Sequence, residues 1–454
     1  MVEHYDAVVV GAGQAGPPLA ARLGSAGLKT AIVERKLVGG TCVNVGCIPT
    51  KTLVGSARAI HMARRGGEYG FVAGEVKVDM TAVKRRKDGV VKQSADGVAG
   101  WIAGMRNVTL LRGQARFTGP RMLDVGGQAL QADRVFLNVG GRATVPDIPG
   151  IGDIPFLTNS SMMDVDQVPA HLVIVGGSYI GLEFAQMYRR FGSKVTVVEL
   201  APKLLPREDD DVAAEIRAIL EHEGVGICLS ARNLLFKRNG EGINVGFEGQ
   251  SIEASHVLLA VGRAPNTHDL GLKEAGIATD PRGYITVDEQ CRTSAEGVWA
   301  LGDCNGRGAF THTSWNDYEI VAANLLDGDP RRISDRIPCY ALFIDPPLGR
   351  VGMNEAEARK SGRKLQAGKM QMARVGRARE MGETQGFMKV LVDADSKELL
   401  GAAILGLNGD EIVHSLLDVM YAKKPYTTIS RAVHIHPTVT ELVPTLLQSL
   451  KPLA

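Results

Sequence analysis

The stretch Ala7-Val-Val-Val-Gly-Ala-Gly-Gln-Ala-Gly16, answered by Lys29-Thr-Ala-Ile-Val-Glu34, decides the fold. The apolar run reads as a buried strand and the glycines end it. Pro17 to Gly27 reads as a helix, and 29–34 as a second strand. The chain then repeats this plan. His171-Leu-Val-Ile-Val175 leads into Gly176-Gly-Ser-Tyr-Ile-Gly181, a helix to Phe191, and Lys194-Val-Thr-Val-Val-Glu199. In each copy the acid falls 23 positions after the first glycine. A glycine pattern alone is weak, but a strand before it, a helix after it and an acid at that distance make the dinucleotide-binding fingerprint. Gly11 and Gly176 permit the tight turn, Gly13 lets backbone approach a pyrophosphate, and Gly16 and Gly181 complete the loops. The helix N-termini would hold the phosphates, and Glu34 and Glu199 would accept hydrogen bonds from ribose hydroxyls. Ser178 replaces the middle glycine of the second copy and permits only part of that approach.

Both copies continue alike. Residues 107–140 and 226–262 read as short alternating strands, each set ending in a buried one, Arg134-Val-Phe-Leu-Asn-Val-Gly140 and His256-Val-Leu-Leu-Ala-Val-Gly262. Two dinucleotide sites in one chain imply electron transfer between them, most simply from nicotinamide to flavin. The length of 454 residues suggests about three domains. The 54 glycines, without low complexity, fit many tight turns and close approaches to ligands, not collagen or disorder.

Charge and composition exclude other classes. Lys plus Arg number 52 against 50 for Asp plus Glu, so nothing in the overall charge asks for nucleic acid. The basic run Lys84-Arg-Arg-Lys87 has no aromatic neighbours and reads as a solvated helix face. No apolar run approaches the ~18 residues of a membrane helix. The start, Met-Val-Glu-His-Tyr-Asp6, is acidic and leads into a strand, so the expectation is a cytoplasmic protein without a signal peptide. Six cysteines in a chain this long make no disulfide scaffold. Cys228, Cys291, Cys304 and Cys339 read as small apolar residues.

Cys42 and Cys47 differ. They sit in Gly39-Gly-Thr-Cys-Val-Asn-Val-Gly-Cys-Ile-Pro-Thr-Lys51, where Pro49 and the residues after Lys51 suggest a helix start, a place that favours thiolate. At this spacing the pair could close a disulfide if the turn brings their Cα atoms within ~7 Å. In a cytoplasmic chain such a pair is catalytic more often than structural. A zinc site would need two further nearby ligands, and none is expected here or elsewhere.

The stretch from Gly40 to Lys51 resembles the redox-disulfide motif of the class I pyridine nucleotide–disulfide oxidoreductases, the family of glutathione reductase, lipoamide dehydrogenase and mercuric reductase. Thr293-Ser294 with Val298-Trp-Ala-Leu-Gly-Asp303 is similar to its second flavin motif, Leu259-Ala-Val-Gly-Arg-Ala-Pro-Asn266 to the stretch closing the nicotinamide domain, and His436-Pro-Thr438 with Glu441 to its C-terminal acid–base motif. The resemblance spans essentially the whole chain. It implies that Cys42 is the interchange thiol, that Cys47 lies beside the flavin as the charge-transfer thiolate, and that Lys51 and Glu183 are an ion pair near the flavin. A Glu183 facing solvent is the alternative. FAD would be held by Gly11, Gly13, Gly16, Glu34, Thr41, Lys51, Gly302 and Asp303, and NAD(P)H by Gly176, Gly181, Tyr179, Glu199 and Gly262. Tyr179 is either the gate over the nicotinamide pocket or a packing aromatic. His436 is the general acid–base, oriented by Glu441, and the His436–Pro437 bond is a candidate cis peptide. His434 reads as an ordinary core histidine. His312 and Trp315 either line the flavin's dimethylbenzene end or pack.

The fold class expected is α/β, with two Rossmann-like domains for FAD and NAD(P) and a C-terminal α/β dimerisation domain. The FAD domain would comprise 1–147 and 266–334, the NAD(P) domain 148–265 and the interface domain 335–454, the protein being a homodimer whose His436 reaches the partner's cysteines. Glu199 favours NADH over NADPH unless Lys203 and Arg207 receive a 2′-phosphate. The substrate class is a small disulfide or oxidant, with mercuric ion or dihydrolipoamide as alternatives. No cysteine follows Cys339, which removes the C-terminal pair that mercuric reductases use. A slow flavoprotein redox sensor is the other class, and the complete Cys42, Cys47, His436 and Glu441 set argues against it.

Overall fold

The computed structural model describes residues 2–453. In the first repeat, strand Glu3–Val10 lies between Thr30–Glu34 and Gln128–Leu137, parallel to both. Ala7 to Val10 are buried one after another, as a strand covered on both faces requires. Val108–Arg112 extends the sheet beyond Thr30–Glu34. On the other side Met122–Val125 and Ala115–Gly119 run antiparallel. A late strand, Val298–Ala300, returns to pair with the end of Gln128–Leu137 and makes this a seven-stranded sheet. The crossover helix Gly16–Ser25 opens on Pro17 and Pro18, which cost nothing where helix N–H groups have no partner.

The second repeat follows the same register. His171–Val175 is parallel to Lys194–Val198 and His256–Leu259, and the helix Tyr179–Phe191 connects the first two. Gly226–Cys228 and Phe156–Leu157 complete five strands. Leu235–Asn239, Gly242–Phe247 and Gln250–Ala254 form a separate antiparallel sheet. Beyond them a six-stranded antiparallel sheet, with strands from Cys339–Leu342 to Lys451–Pro452, carries the helix Gly409–Tyr421. That helix sits close because Gly349 has no side chain, since a Cβ there would lie 2.2 Å from the Gly409 carbonyl oxygen.

The chain separates into two compact units, the first made of Met1–Thr52, Ala82–Thr144 and Gly262–Arg336, the second of Leu53–Thr81, Val145–Val261 and Ile337–Ala454. The expected partition assigns 53–81 to the first domain and separates 148–265 from 335–454. Buried ion pairs run through the second unit. Arg58 and Arg65, on helix Cys47–Arg64 and just past it, pair with Asp345 and Glu383. Arg190 binds Glu223 and Asp345 at 2.7 Å each, and Arg350 reaches Asp209 at 3.1 Å. The Lys389 ammonium sits among Asp209, Asp211 and Glu355 at 2.6–2.9 Å, so that carboxylate cluster already holds its cation. One surface expectation is corrected. Lys87 is buried on helix Met80–Ala103 and paired with Asp88, while Arg85 and Arg86 stay exposed. Among the described residues no helix is long and apolar enough to cross a membrane.

Candidate active site

The two glycine loops are built by one rule. Glu34 accepts the Ala12 N–H at 3.0 Å and the Lys36 N–H at 2.7 Å, one on each carboxylate oxygen. Glu199 does the same with Gly177 at 2.6 Å and Ala201 at 2.7 Å. Each oxygen keeps lone pairs for a ribose diol. Gly16 and Gly181 are required by packing, because a Cβ would stand 2.1 Å from the Gly11 and 2.0 Å from the Gly176 carbonyl oxygen. The Asn138 side chain closes the first loop alone. Its Oδ1 accepts the Gly16 N–H at 3.1 Å and its Nδ2 donates to the Leu301 carbonyl at 3.1 Å.

The thiol segment is stitched to that loop. The Gly39 N–H donates to the Ala12 carbonyl at 2.8 Å, Gln14 donates to the Gly39 carbonyl at 3.0 Å, and a Cβ on Gly40 would meet the Gly13 Cα at 2.8 Å. Thr41 and Cys42 lie in the short helix Gly40–Val45, and Cys47 begins the helix Cys47–Arg64. Both cysteines are free, half-buried thiols. A hydrogen bond from the Cys42 thiol, Thr311 and the Lys51 ammonium one turn along the helix hold the Cys47 thiol down at about 6 against the cost of burial. The same contact with Cys47, together with burial, pushes Cys42 well up. The pair therefore divides into a thiolate and a thiol that keeps its proton.

The Thr311 hydroxyl stands 3.1 Å from the Cys47 sulfur at the start of helix Thr311–Ala322. Sequence reasoning missed this residue. The sequence points to the neighbouring His312 and Trp315 as flavin-lining or packing residues, but a threonine 264 positions from its thiol carries no local signal. His312 is exposed and stacks on Phe310, while the exposed Trp315 donates to Glu319 at 3.2 Å.

In the C-terminal part, both carboxylate oxygens of Glu441 lie at 2.9–3.0 Å from His436 Nδ1, leaving Nε2 for chemistry. The His436 side chain is 79% exposed, and the His436–Pro437 bond is cis, as expected. His434 is half-buried and reaches only the Ala432 carbonyl, so it is not the packed core histidine expected of it. Glu183 is buried and accepts the Phe343 N–H at 3.1 Å, which excludes the solvent-facing alternative.

The description "Pyridine nucleotide-disulphide oxidoreductase" matches residues 5–317, and that family's dimerisation domain matches residues 339–447. The chain belongs to the pyridine nucleotide-disulphide oxidoreductase family. It is similar to the pyridine nucleotide-disulfide oxidoreductase RclA of Escherichia coli, 37% identical over 99% of this chain and 100% of the relative. It also resembles dihydrolipoyl dehydrogenase of Thermus scotoductus, 34% identical over 97% and 96% of the two chains, and mercuric reductase of Streptomyces lividans, 32% over 96% and 94%. The solved structure of the HOCl-induced flavoprotein disulfide reductase RclA from Escherichia coli superposes with a TM-score of 0.91 at 37% identity, covering 98% of this chain and 99% of that one. A Cu(II) complex of the same reductase matches equally well, with a TM-score of 0.91 at 36% identity over 99% of each chain.

Members of this family are FAD-dependent and draw electrons from a pyridine nucleotide, and the protein is an NAD(P)H-dependent flavoprotein oxidoreductase. The first unit's residues fit FAD. Asp303 has its carboxyl raised by burial and reaches Arg263 only at 3.4 Å, so it still seeks donors such as ribityl hydroxyls. Gly302 donates its N–H to Asp317 at 2.8 Å, fixing the loop that presents Asp303. Around Gly140 (φ +65°) nothing lies within 4 Å of where a Cβ would be. Gly262 (φ +133°), also in the first unit, is nearly as open, with only the Thr144 hydroxyl at 3.9 Å from that position. The Cys304 thiol is buried against the Leu137 and Leu301 carbonyls and pushed up to about 12, so it packs and does not react. The Tyr179 phenol donates to Glu208 at 3.1 Å, and its ring packs edge-on against Tyr340.

Proposed function

We propose that the protein carries electrons from NADH to the Cys42–Cys47 pair and on to a small disulfide or oxidant. The observation that carries this reading is a thiol made acidic by its surroundings beside one that keeps its proton, both stitched to a dinucleotide loop. The 11–16 loop, Glu34, Thr41, Gly302 and Asp303 would hold FAD, which would supply the conversion between a two-electron hydride donor and a thiol–disulfide couple. Lys51 and Glu183 keep the roles the family resemblance gives them. In the reduced pair His436 takes the Cys42 proton as that sulfur attacks the substrate disulfide, then returns it to the departing thiolate. The Cys47 thiolate attacks the mixed disulfide next, which closes the Cys42–Cys47 bond and frees the second product as a thiolate that takes its proton from solvent. Glu441 engages Nδ1 and so leaves Nε2 for this exchange.

A homodimer completes the site. Val433 is 100% and Ile435 80% exposed beside an equally uncovered His436, an apolar strip that asks for a cover. A second copy supplies it, and each His436 then serves the partner's thiols. NADH is favoured because the Lys203 ammonium, the nearest cation to Glu199 in sequence, is committed to the Glu208 carbonyl at 2.8 Å and to Asp210 at 2.6 Å. Among acceptors the chemistry favours low-molecular-weight disulfides and reactive halogen-derived oxidants. Cu(II) belongs in the panel because RclA is solved with it.

The test is stopped-flow spectroscopy of NADH with the holoenzyme and a panel of small disulfides, lipoamide, chloramines, Cu(II) and Hg(II). The reading requires that at least one small disulfide or oxidant reoxidise the reduced enzyme many times faster than dissolved oxygen does. If none does, or if NADPH is the better donor, the corresponding part of the proposal fails.

A further inference from the structure

Tyr179 begins the helix at which the second dinucleotide's pyrophosphate would sit, and its phenol is not free. It donates to Oε1 of Glu208 at 3.1 Å, and the same oxygen takes the Tyr340 phenol at 2.6 Å. Burial and the Glu208 charge push both phenols up, so both remain donors at any working pH. The Glu208 side chain is fully buried. Its other oxygen has no hydrogen bond and faces the Arg350 guanidinium at 3.9 Å, which in turn leaves Nη2 unpartnered. The loop carrying Glu208 is itself tied to the glycine loop, with the Leu205 N–H on the Gly177 carbonyl at 3.0 Å.

A buried carboxylate that grips two phenols on one oxygen can release one and stay compensated by the other and by Arg350. Both tyrosines are half-buried, and Tyr179 makes the longer bond, 3.1 Å against 2.6 Å, so it is the one that leaves more readily. We propose that Glu208 is a positioning residue that latches Tyr179 across the nicotinamide end of the coenzyme site, and that Tyr340 sets the strength of the latch by competing for the same oxygen. The proposal rests on the reading that this half binds NADH. Coenzyme entry breaks the Tyr179–Glu208 bond, while ligands lacking nicotinamide leave it closed.

Calorimetric titration of the holoenzyme with NAD+ and with ADP-ribose tests it without turnover. Tyr179→Phe and Glu208→Gln are expected to tighten NAD+ by about fivefold, with ADP-ribose unchanged, because the bond that must break is gone or weakened. The double variant should gain nothing further. Tyr340→Phe should act in the opposite direction and weaken NAD+, since Glu208 then serves Tyr179 alone. A merely structural role would move both ligands together. The latch is overturned by equal shifts for NAD+ and ADP-ribose, by no shift in Tyr179→Phe, or by a Tyr340→Phe effect of the same sign as Tyr179→Phe. Should Glu208→Gln fail to fold, the two tyrosine variants decide alone. A wild type that binds neither ligand overturns the coenzyme reading itself, and the latch with it.

Discussion

The two glycine loops share register, acid and crossover helix, yet one has Gly13 where the other has Ser178. The neighbours explain the difference. In the first half a Cβ at position 13 would lie 3.0 Å from Asn138 Oδ1, and the thiol segment presses Gly40 onto the same residue. At the equivalent place in the second half Ala260 stands for Asn138: the Asn138 N–H donates to Val10 and the Ala260 N–H to Val175, both at 2.8 Å. Ser178 therefore has room, in extended backbone (φ −110°, ψ −173°). Sheet completion separates the halves too. Gln128–Leu137 runs unbroken from the antiparallel strands into the main sheet and receives a return strand. The corresponding path in the second half breaks at Ser255, which ties itself to His171, and its free edge is taken by Phe156–Leu157, a strand from earlier in the chain. The first sheet is closed on that side by later chain and the second by earlier chain, Phe156–Leu157.

The sharpest break of this comparison is at the Cys42–Cys47 pair, which has no counterpart in the second half. Cys47→Ser and Cys42→Ser should each cut disulfide turnover by about a thousandfold or more. Cys42→Ser should keep the long-wavelength charge-transfer absorbance and Cys47→Ser should lose it. Normal turnover in either variant contradicts the dithiol scheme. His436→Ala should cost about 10²–10⁴-fold in turnover. After subunit exchange with an equally inactive Cys42→Ala chain, about one quarter of the activity should return, because half of random dimers hold one intact site. No recovery after verified exchange means that His436 does not serve a partner.

Swapping the middle residues is the next test. Gly13→Ser should destabilise the protein by about 1–3 kcal/mol and loosen FAD, read by thermal melting and flavin release. Ser178→Gly should change melting by less than about 0.5 kcal/mol. Equal effects would erase the contrast between the halves. The smallest effect expected concerns Thr311. Alkylation of reduced Cys47 should rise with pH through about 6, because the nucleophilic thiolate is present above that value and lost below it. Thr311→Ala removes one stabilising hydrogen bond, so the midpoint should move up by about one pH unit, with Thr311→Ser restoring it. An unmoved midpoint denies Thr311 that role.

What was legible in the chain was what repeats or lies close together. The strand, glycine loop, helix and acid fall within one short window, and the Cys42 to Lys51 segment carries its own turn, so hydrophobic period and spacing revealed them. Asn138, Thr311 and Glu208 were invisible for the opposite reason. Each is an ordinary residue whose meaning comes from partners brought in by topology: Gly16 and Leu301, Cys47, and Tyr340. Lys87 departs from its sequence reading because a run of charges suggests solvent, whereas here the side chain is buried and paired with the adjacent Asp88.

The return strand Val298–Ala300 also sets a timetable. Trp299 stacks on Phe136 with ring centroids 5.0 Å apart, and Asn138 reaches for the Leu301 carbonyl. Leu137 and Val298 are separated by about 160 residues of chain. At a translation speed of about 5–20 residues per second, the nascent first sheet waits roughly 8–30 s on the ribosome with one edge bare and its keystone asparagine unmet. The second glycine-loop half is made entirely within that pause, so the part of the protein that begins first is finished later, and a stalled chain ending before Val298 would present that edge to whatever strand or chaperone arrives.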